Sequence, residues 1–352
     1  MSPAKKSFFK KFIISILLIF IIGGGIAVFV GYRLIYQPNV KLSGKKTEII
    51  FVRTGSTYED VLNTLLEEHI IVNRASFERL AELKGYKSKV KAGRYRVRNN
   101  MNNNELINML RAGIQEPVKI TFNNIRTKDE LVSRVCKKIE ADSMQMLELL
   151  NNDGFLDKYD LTADNALCMF LPNTYEVYWN TQSDEFLDRM ANEFKKFWND
   201  ARKSKAKAIG LSPVKVSVLA SIVQAEQNRF NDEKAIIAGL YINRIKKGMP
   251  LESDPTLIYA KGDFTITRVL NEDKEVDSPY NTYRHTGLPP GPICLPELSS
   301  LEAVLNYTKS DYIFMCAKED FSGRHNFAKT NEEHNRNAQK YRQGLNERNI
   351  RR

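Results

Sequence analysis

Ser212-Pro-Val-Lys-Val-Ser-Val-Leu-Ala-Ser-Ile-Val-Gln-Ala-Glu226 reads as a helix whose last residue is out of place. Ser212 is a favoured N-cap, and Pro213 suits the first helical position, where an N–H would have no partner. Leu219, Ile222 and Val223 recur at i, i+3, i+4 and form an apolar stripe. Glu226 falls four residues after Ile222 and three after Val223, so it continues that stripe rather than the polar face. A carboxyl on an apolar face loses hydration, which raises its pKa and fits it for general-acid work near neutrality. The opposing reading has the helix fraying here, with Glu226 in water or paired with Arg229. Gln224 lies about 200° around the helix axis from Glu226 and cannot share its face.

Towards the C-terminus, a second helix should start near Asn231-Asp232 and stop at Lys246-Lys247-Gly248, with cations in its last turn and Gly at C′. Ile236, Leu240 and Asn243 share a stripe, so Asn243 also stands where a hydrophobe is expected, with Arg244 next to it. Asn243 either serves a ligand or bonds neighbouring backbone. Loop chemistry follows. Asp254-Pro255 reads as a turn start, and Ser278-Pro-Tyr-Asn-Thr-Tyr283 and Gly287-Leu-Pro-Pro-Gly-Pro-Ile293 join aromatics, Asn and stiff backbone in a binding-loop pattern. Tyr280, Asn281 and Tyr283 offer stacking surface and hydrogen bonds that suit a sugar, or equally a packed loop.

Towards the N-terminus, Ser183 should cap a helix whose Phe186, Leu187, Met190, Phe194 and Phe197 form a core stripe, and residues 203–210 read as a basic link. Val118-Lys-Ile-Thr-Phe122 and residues 128–139 give a strand and a helix, a faint echo of the unit before them. That earlier unit is strand–helix–helix–strand. Glu48-Ile-Ile-Phe-Val52 comes first, then a helix capped by Thr57 with Asp60 at N3, a helix at 75–83, and Gly93-Arg-Tyr-Arg-Val97. A further helix follows at 104–111. This plan resembles a LysM module, a family that commonly binds N-acetylglucosamine polymers; a plain structural spacer is the alternative.

Residues 12–32 are uncharged and strongly apolar. As a helix they would reach roughly 31 Å, enough to cross a hydrocarbon core. No A-x-A cleavage site follows before Arg33, which favours a retained anchor over a signal peptide. Lys5, Lys6, Lys10 and Lys11 supply four of the chain's eleven excess positive charges and place the N-terminus in the cytoplasm. The 42% hydrophobic and 27% charged content of the 352 residues excludes wholesale disorder. A net charge of +11 suits an anionic surface without choosing one. With the bulk outside, nucleic acid is excluded as a partner, and the basic residues lack the interleaved aromatics of a stacking platform. Cys136, Cys168, Cys294 and Cys316 are dispersed, without CxxC or zinc spacing, so no metal is called for.

The expected fold is therefore α+β. A basic tail spans 1–11, a transmembrane helix 12–32, a stalk 33–46 and the LysM-like module 47–117. A mixed α/β catalytic domain covers 118–345 and a basic tail 346–352.

Leu219-Ala-Ser-Ile-Val-Gln-Ala-Glu226, Tyr241-Ile-Asn-Arg244, Met249-Pro-Leu-Glu-Ser-Asp-Pro-Thr256, Tyr280-Asn-Thr-Tyr283 and the 287–293 loop occur in this order. Gly323-Arg-His-Asn-Phe327 and Glu333-His-Asn335 follow, and Lys91-Ala-Gly-Arg-Tyr-Arg96 precedes them. Together with the single anchor, these pieces resemble the membrane-anchored, YceG-like endolytic murein transglycosylase family. The resemblance implies a bacterial inner-membrane lyase, its catalytic region periplasmic, that cuts nascent peptidoglycan strands internally without a cofactor and in company with peptidoglycan synthases. The catalytic Glu maps onto Glu226. Many members carry acid-x-acid here, where this chain has Gln224, and Thr where it has Gln227. Asn243, Asn281 and Tyr283 would orient sugar substituents, with Tyr280, Arg244, His325 and Asp254 in support. A glycan-binding scaffold without turnover is the other reading. A zinc hydrolase built on His285, His325 and His334 is a distant one, since their spacing is not metal-like.

Overall fold

The computed structural model describes residues 3–348, with side chains from Phe12 onward. The side chains of the four lysines in the N-terminal tail and residues 349–352 of the C-terminal tail lie outside that description. The described residues divide into two compact units. The first is the chain up to Val118 with Glu176–Asn180, and the second is Lys119–Tyr175 with the chain from Thr181.

In the first unit, α1 (Pro3–Tyr36) is one continuous helix whose apolar part runs from Phe12 to Tyr36. This is four residues longer than the span expected from the sequence. Most of its side chains stand exposed, Phe20 at 76% and Ile19 at 69%, and the stretch is long and apolar enough to cross a membrane. β1 (Thr47–Val52) pairs antiparallel with β2 (Gly93–Arg98), Thr47 opposite Arg98 and Val52 opposite Gly93. Between them run α2 (Tyr58–Glu67) and α3 (Arg74–Leu83), and α4 (Asn103–Ala112) follows. The alternation along β2 buries Tyr95 and Val97 against Leu62, Leu65, Phe77 and Leu106, all essentially without exposure. The strand–helix–helix–strand order is thus present.

The stalk is not. Asn39, Val40 and Leu42 are buried, Pro38 and Val40 bridge Asn102 and Ile71, and Leu34 and Ile35 of α1 pack on the same core. The buried Asn39 amide ties the segment down, donating to Asn73 O (3.0 Å) and Asn103 Oδ1 (2.7 Å) while Asn73 N donates back at 2.7 Å. A polar-looking segment is held inside because its amide finds partners there.

The second unit takes in Lys119–Thr121 of β3 (Val118–Thr121) and Thr174–Tyr175 of β4 (Thr174–Val177). Between these strands lie α5 (Lys128–Cys136), α6 (Ser143–Leu150) and the short α7 (Asp153–Leu156). α8 (Ser183–Phe197) buries Phe186, Leu187 and Met190, as its stripe predicts. Its cap, however, is Gln182, while the buried Ser183 hydroxyl donates to Asp142 O. Residues 203–210 are no link: α9 (Asp200–Ile209) runs through them to Gly210 in the left-handed region at φ 81°. Alternating Lys and Ala are good helix formers, and buried Ala206 and Ile209 seat them on the core.

α10 (Pro213–Glu226) starts at the Ser212 cap, whose Oγ accepts from Lys215 N. Every residue from Val216 to Val223 is buried, so α10 is enclosed on all sides rather than striped. Burying Leu219, Ile222 and Val223 contributes about 1.5–3 kcal/mol each. α11 (Asn231–Lys246), α12 (Asp254–Lys261) and α13 (Leu298–Leu305) pack on α10, while the antiparallel hairpin β5 (Phe314–Ala317) and β6 (His325–Ala328) packs against α14 (Asn331–Glu347). Asp254-Pro255 opens α12 instead of a turn, with Pro in its first turn. The 287–293 loop is clamped to α10 by Ile293 N donating to Ser221 Oγ at 3.0 Å. A Cβ at Gly291 would stand 1.9 Å from Asp164 O, so only glycine allows this approach.

Candidate active site

Where α10 ends, its enclosure ends too, and Glu226 emerges half-buried into a cleft of about 660 Å³. Its Oε1 accepts two hydrogen bonds, from Tyr241 Oη of α11 at 2.7 Å and from Ser253 Oγ at 2.5 Å. Loss of hydration pushes the Glu226 carboxyl above the ordinary 4.5; the two hydroxyls pull the other way, Asp254 adds repulsion and His325 opposes it. Burial, and then the Glu226 charge, holds the Tyr241 phenol far above its ordinary range, so it stays a donor. Ser253 is the N-cap of α12, yet its hydroxyl makes no cap bond because it is given to Glu226. Its backbone is fixed instead by Thr282: Ser253 N donates to Thr282 Oγ1 at 3.0 Å, and Glu252 N to Thr282 O. Glu252 itself sits at φ 54°, a left-handed conformation uncommon outside glycine.

Arg244, 5% exposed, shapes the floor. Its Nε donates to Ile313 O (2.7 Å), and its Nη1 reaches Pro250 O, Leu251 O and the Glu252 carboxylate (2.8 Å). One guanidinium therefore holds the 250–252 segment against the strand that follows Ile313. Asp254 and Tyr283 line the same cleft, with Tyr283 Oη donating to Asp254 Oδ1 at 2.6 Å.

His325 enters from β6. Its Nδ1 lies 3.1 Å from Glu233 Oε2 and its backbone N donates to Glu233 Oε1. The buried Glu233 is held in turn by Gln227 Nε2 at 2.8 Å, which also donates to Gly323 O. Gln227 Oε1 accepts from Arg229 N and Phe230 N, closing the turn between α10 and α11. The residue whose local bonding the sequence left open thus ties three elements together.

Three expected sugar contacts lie elsewhere. Asn243 spends its amide on Ser310 O and Tyr312 O. Asn281, without exposure, donates to Lys274 O and Val276 O and accepts from Tyr283 N. Tyr280 packs on Tyr259 with ring centroids 4.7 Å apart and is outside the cleft. Each satisfies buried backbone or fills space, the alternative that periodicity could not separate from ligand binding. Conversely, sequence reading passed over Tyr241, Ser253 and Glu233. Ser253 carried a usable signal, a Ser–Asp–Pro helix start, but nothing in the sequence says its hydroxyl turns away from its own helix. Gln224 faces elsewhere as the helical geometry requires, accepting from Lys234 Nζ and Ser300 Oγ.

Comparison with known proteins gives one consistent picture. Residues 50–340 match a family described as the YceG-like family. The chain is 30% identical over 343 residues to an endolytic murein transglycosylase of Bacillus subtilis (strain 168), an alignment covering 93% of this chain and 92% of that one. It is 28% identical over 363 residues to the protein of the same name from Streptococcus pneumoniae (strain D39), covering 94% of this chain but 65% of the relative, just under two thirds of its length. A 2.6 Å crystal structure of a yceG-like protein from Listeria monocytogenes superposes with a TM-score of 0.55 at 27% identity, covering 83% of this chain and 99% of that one.

Proposed function

The chain belongs to the YceG-like family, and from that premise we propose that it is a lyase, an endolytic peptidoglycan transglycosylase. It cleaves the bond between N-acetylmuramic acid and N-acetylglucosamine within nascent glycan strands and leaves a 1,6-anhydro end. The observation that carries this reading is Glu226, a single desolvated carboxyl presented into a cleft and held by two hydroxyls.

Tyr241 and Ser253 both bond Oε1, which leaves Oε2 to carry the proton. Protonated, Glu226 gives that proton to the bridging oxygen as the bond to the muramyl C1 breaks. The muramyl 2-acetamido oxygen shields the developing oxocarbenium ion. Glu226, now a carboxylate steadied by its two donors, takes the proton of the muramyl 6-hydroxyl as that oxygen closes on C1. The nucleophile is tethered to the carbon it attacks, so much of its orientational entropy is already lost. Arg244, Asp254, Tyr283 and His325 surround the reacting sugar in this reading. Hydrolytic glycosidases use two carboxylates about 5–9.5 Å apart; here Asp254 is committed to the Tyr283 hydroxyl, and the acid and base steps fall to Glu226 in turn.

α1 is the membrane anchor, with the N-terminus cytoplasmic and the chain after α1 outside. The strand–helix–helix–strand unit takes the part of a LysM-like glycan holder, and synthases that make the strand are natural neighbours. Digestion of purified glycan strands with mass analysis of the ends tests the reaction. Anhydro ends formed by the parent and lost in Glu226→Gln are expected. Reducing ends would make it a hydrolase, and strand binding without new ends would make it a scaffold.

A further inference from the structure

The second unit holds another cleft, of about 570 Å³, that the reaction above leaves unused. Its wall includes Ala225 and Pro255, the chain neighbours of Glu226 and Asp254, which line the first cleft. At two places, therefore, the clefts come within one residue of each other, a Cα step of about 3.8 Å. The end of α10 and the first turn of α12 form the ridge they share. Its lining pairs aromatic surface with amides: Tyr259 and Phe264 (centroids 6.3 Å apart) stand with Asn124, Asn228 and Gln224. The Arg126 guanidinium lies 4.8 Å over the Phe264 ring and keeps it in place. Tyr280 lines neither cleft but packs on Tyr259, ring centroids 4.7 Å apart, and supports it. Ring faces flanked by amide donors and acceptors are what a pyranose with acetamido and hydroxyl groups requires, and the volume is that of a ligand site.

We propose that this second cleft holds the continuation of the same glycan strand, on the far side of the bond that Glu226 protonates. The proposal rests on the reaction assigned above and deepens it: a chain cut internally must be held on both sides of the cut, and the second cleft opens one residue away from the group that protonates the bond.

The test is binding of uncross-linked muramyl oligosaccharides of increasing length to the full chain carrying Glu226→Gln, followed by calorimetry. Affinity should rise by roughly tenfold from the shortest to the longest oligomer. That rise should vanish when Asn228→Trp fills the cleft or Phe264→Ala strips its wall; Asn228 is exposed, and unchanged melting midpoints certify that the variants are folded. A rise that survives both substitutions, or no rise at all, overturns the proposal. Product analysis of the unsubstituted chain reports on the reaction separately. Length dependence without anhydro ends would break the reaction and keep the second cleft, while anhydro ends without length dependence would do the reverse.

Discussion

The helix starts of the first unit and the residues around Glu226 satisfy their polar groups in different ways. In the first, helices close on themselves within three residues. Thr57 and Asp60 exchange bonds at the start of α2, Asn102 and Glu105 do so at α4, and Asn73 Oδ1 accepts from Ser76 N at α3. Around Glu226 the partners are remote: Asn243 and Arg244 reach backbone 67 and 69 positions away, and Gln227 reaches Gly323 across 96. A cap works in any helix that starts there, whereas a remote bond exists only once the whole unit has folded. Local bonds should therefore give small, contained effects when broken, and remote ones large effects that spread.

The chain supplies a reporter for each unit, Trp179 in the first and Trp198 in the second. The largest effect should be chemical. Glu226→Gln should lower the release of anhydromuramyl ends by about 10²–10⁴-fold, the range for a lost general acid; a parent-like rate would remove Glu226 from the reaction. Next comes Arg244→Leu, which strands three backbone carbonyls and the Glu252 charge. It should destabilise the second unit by about 3–5 kcal/mol in urea titrations read at Trp198 in a Trp179→Phe background. Gln227→Ala should cost about 1–3 kcal/mol in the same experiment and loosen His325, visible as a shifted imidazole resonance. Thr57→Ala should cost only about 1 kcal/mol, read at Trp179 with Trp198 undisturbed. Equal losses at both reporters would erase the distinction between the units.

The smallest effect depends on pH. The folded Glu226 carboxyl titrates above its ordinary 4.5 because it is desolvated. From 4.5 up to that raised value the folded state holds more protons than the unfolded one, so stability falls as pH rises through the window and levels off above it. Glu226→Gln has no such loss. Its melting midpoint should gain on the parent's as pH rises, and a difference independent of pH would mean that the carboxyl is fully hydrated.

The same division accounts for what the sequence could and could not reveal. Ser212-Pro213 and Thr57 announced their helices because a cap needs only its own first turn. The α8 stripe announced its buried face because periodicity is local as well. Asn243 was expected at a sugar because an amide on an apolar face looks alike whether its partner is a ligand or a distant carbonyl, and Asn281 because a loop amide shows nothing of the carbonyls its own loop will fold against. The stalk failed for the same reason, since Asn39 meets Asn73 and Asn103 only after folding. Residues 203–210 and Asp254-Pro255 failed differently: charge density and Pro outweighed helix signals that neighbouring packing went on to use. Glu226 was legible because a carboxyl at the end of an apolar helix adds nothing to packing, although the end of the enclosure, rather than a stripe, is what exposes it.

α1 does not hand over to a tether. It runs unbroken to Tyr36, and Leu34 and Ile35 are already part of the first unit's interior. With the helix seated in a bilayer there is no swivel between lipid and protein. Tilt, rotation and changes in membrane thickness would be transmitted to the strand–helix–helix–strand unit as through a mast, and its height above the lipid would be set by the length of one helix.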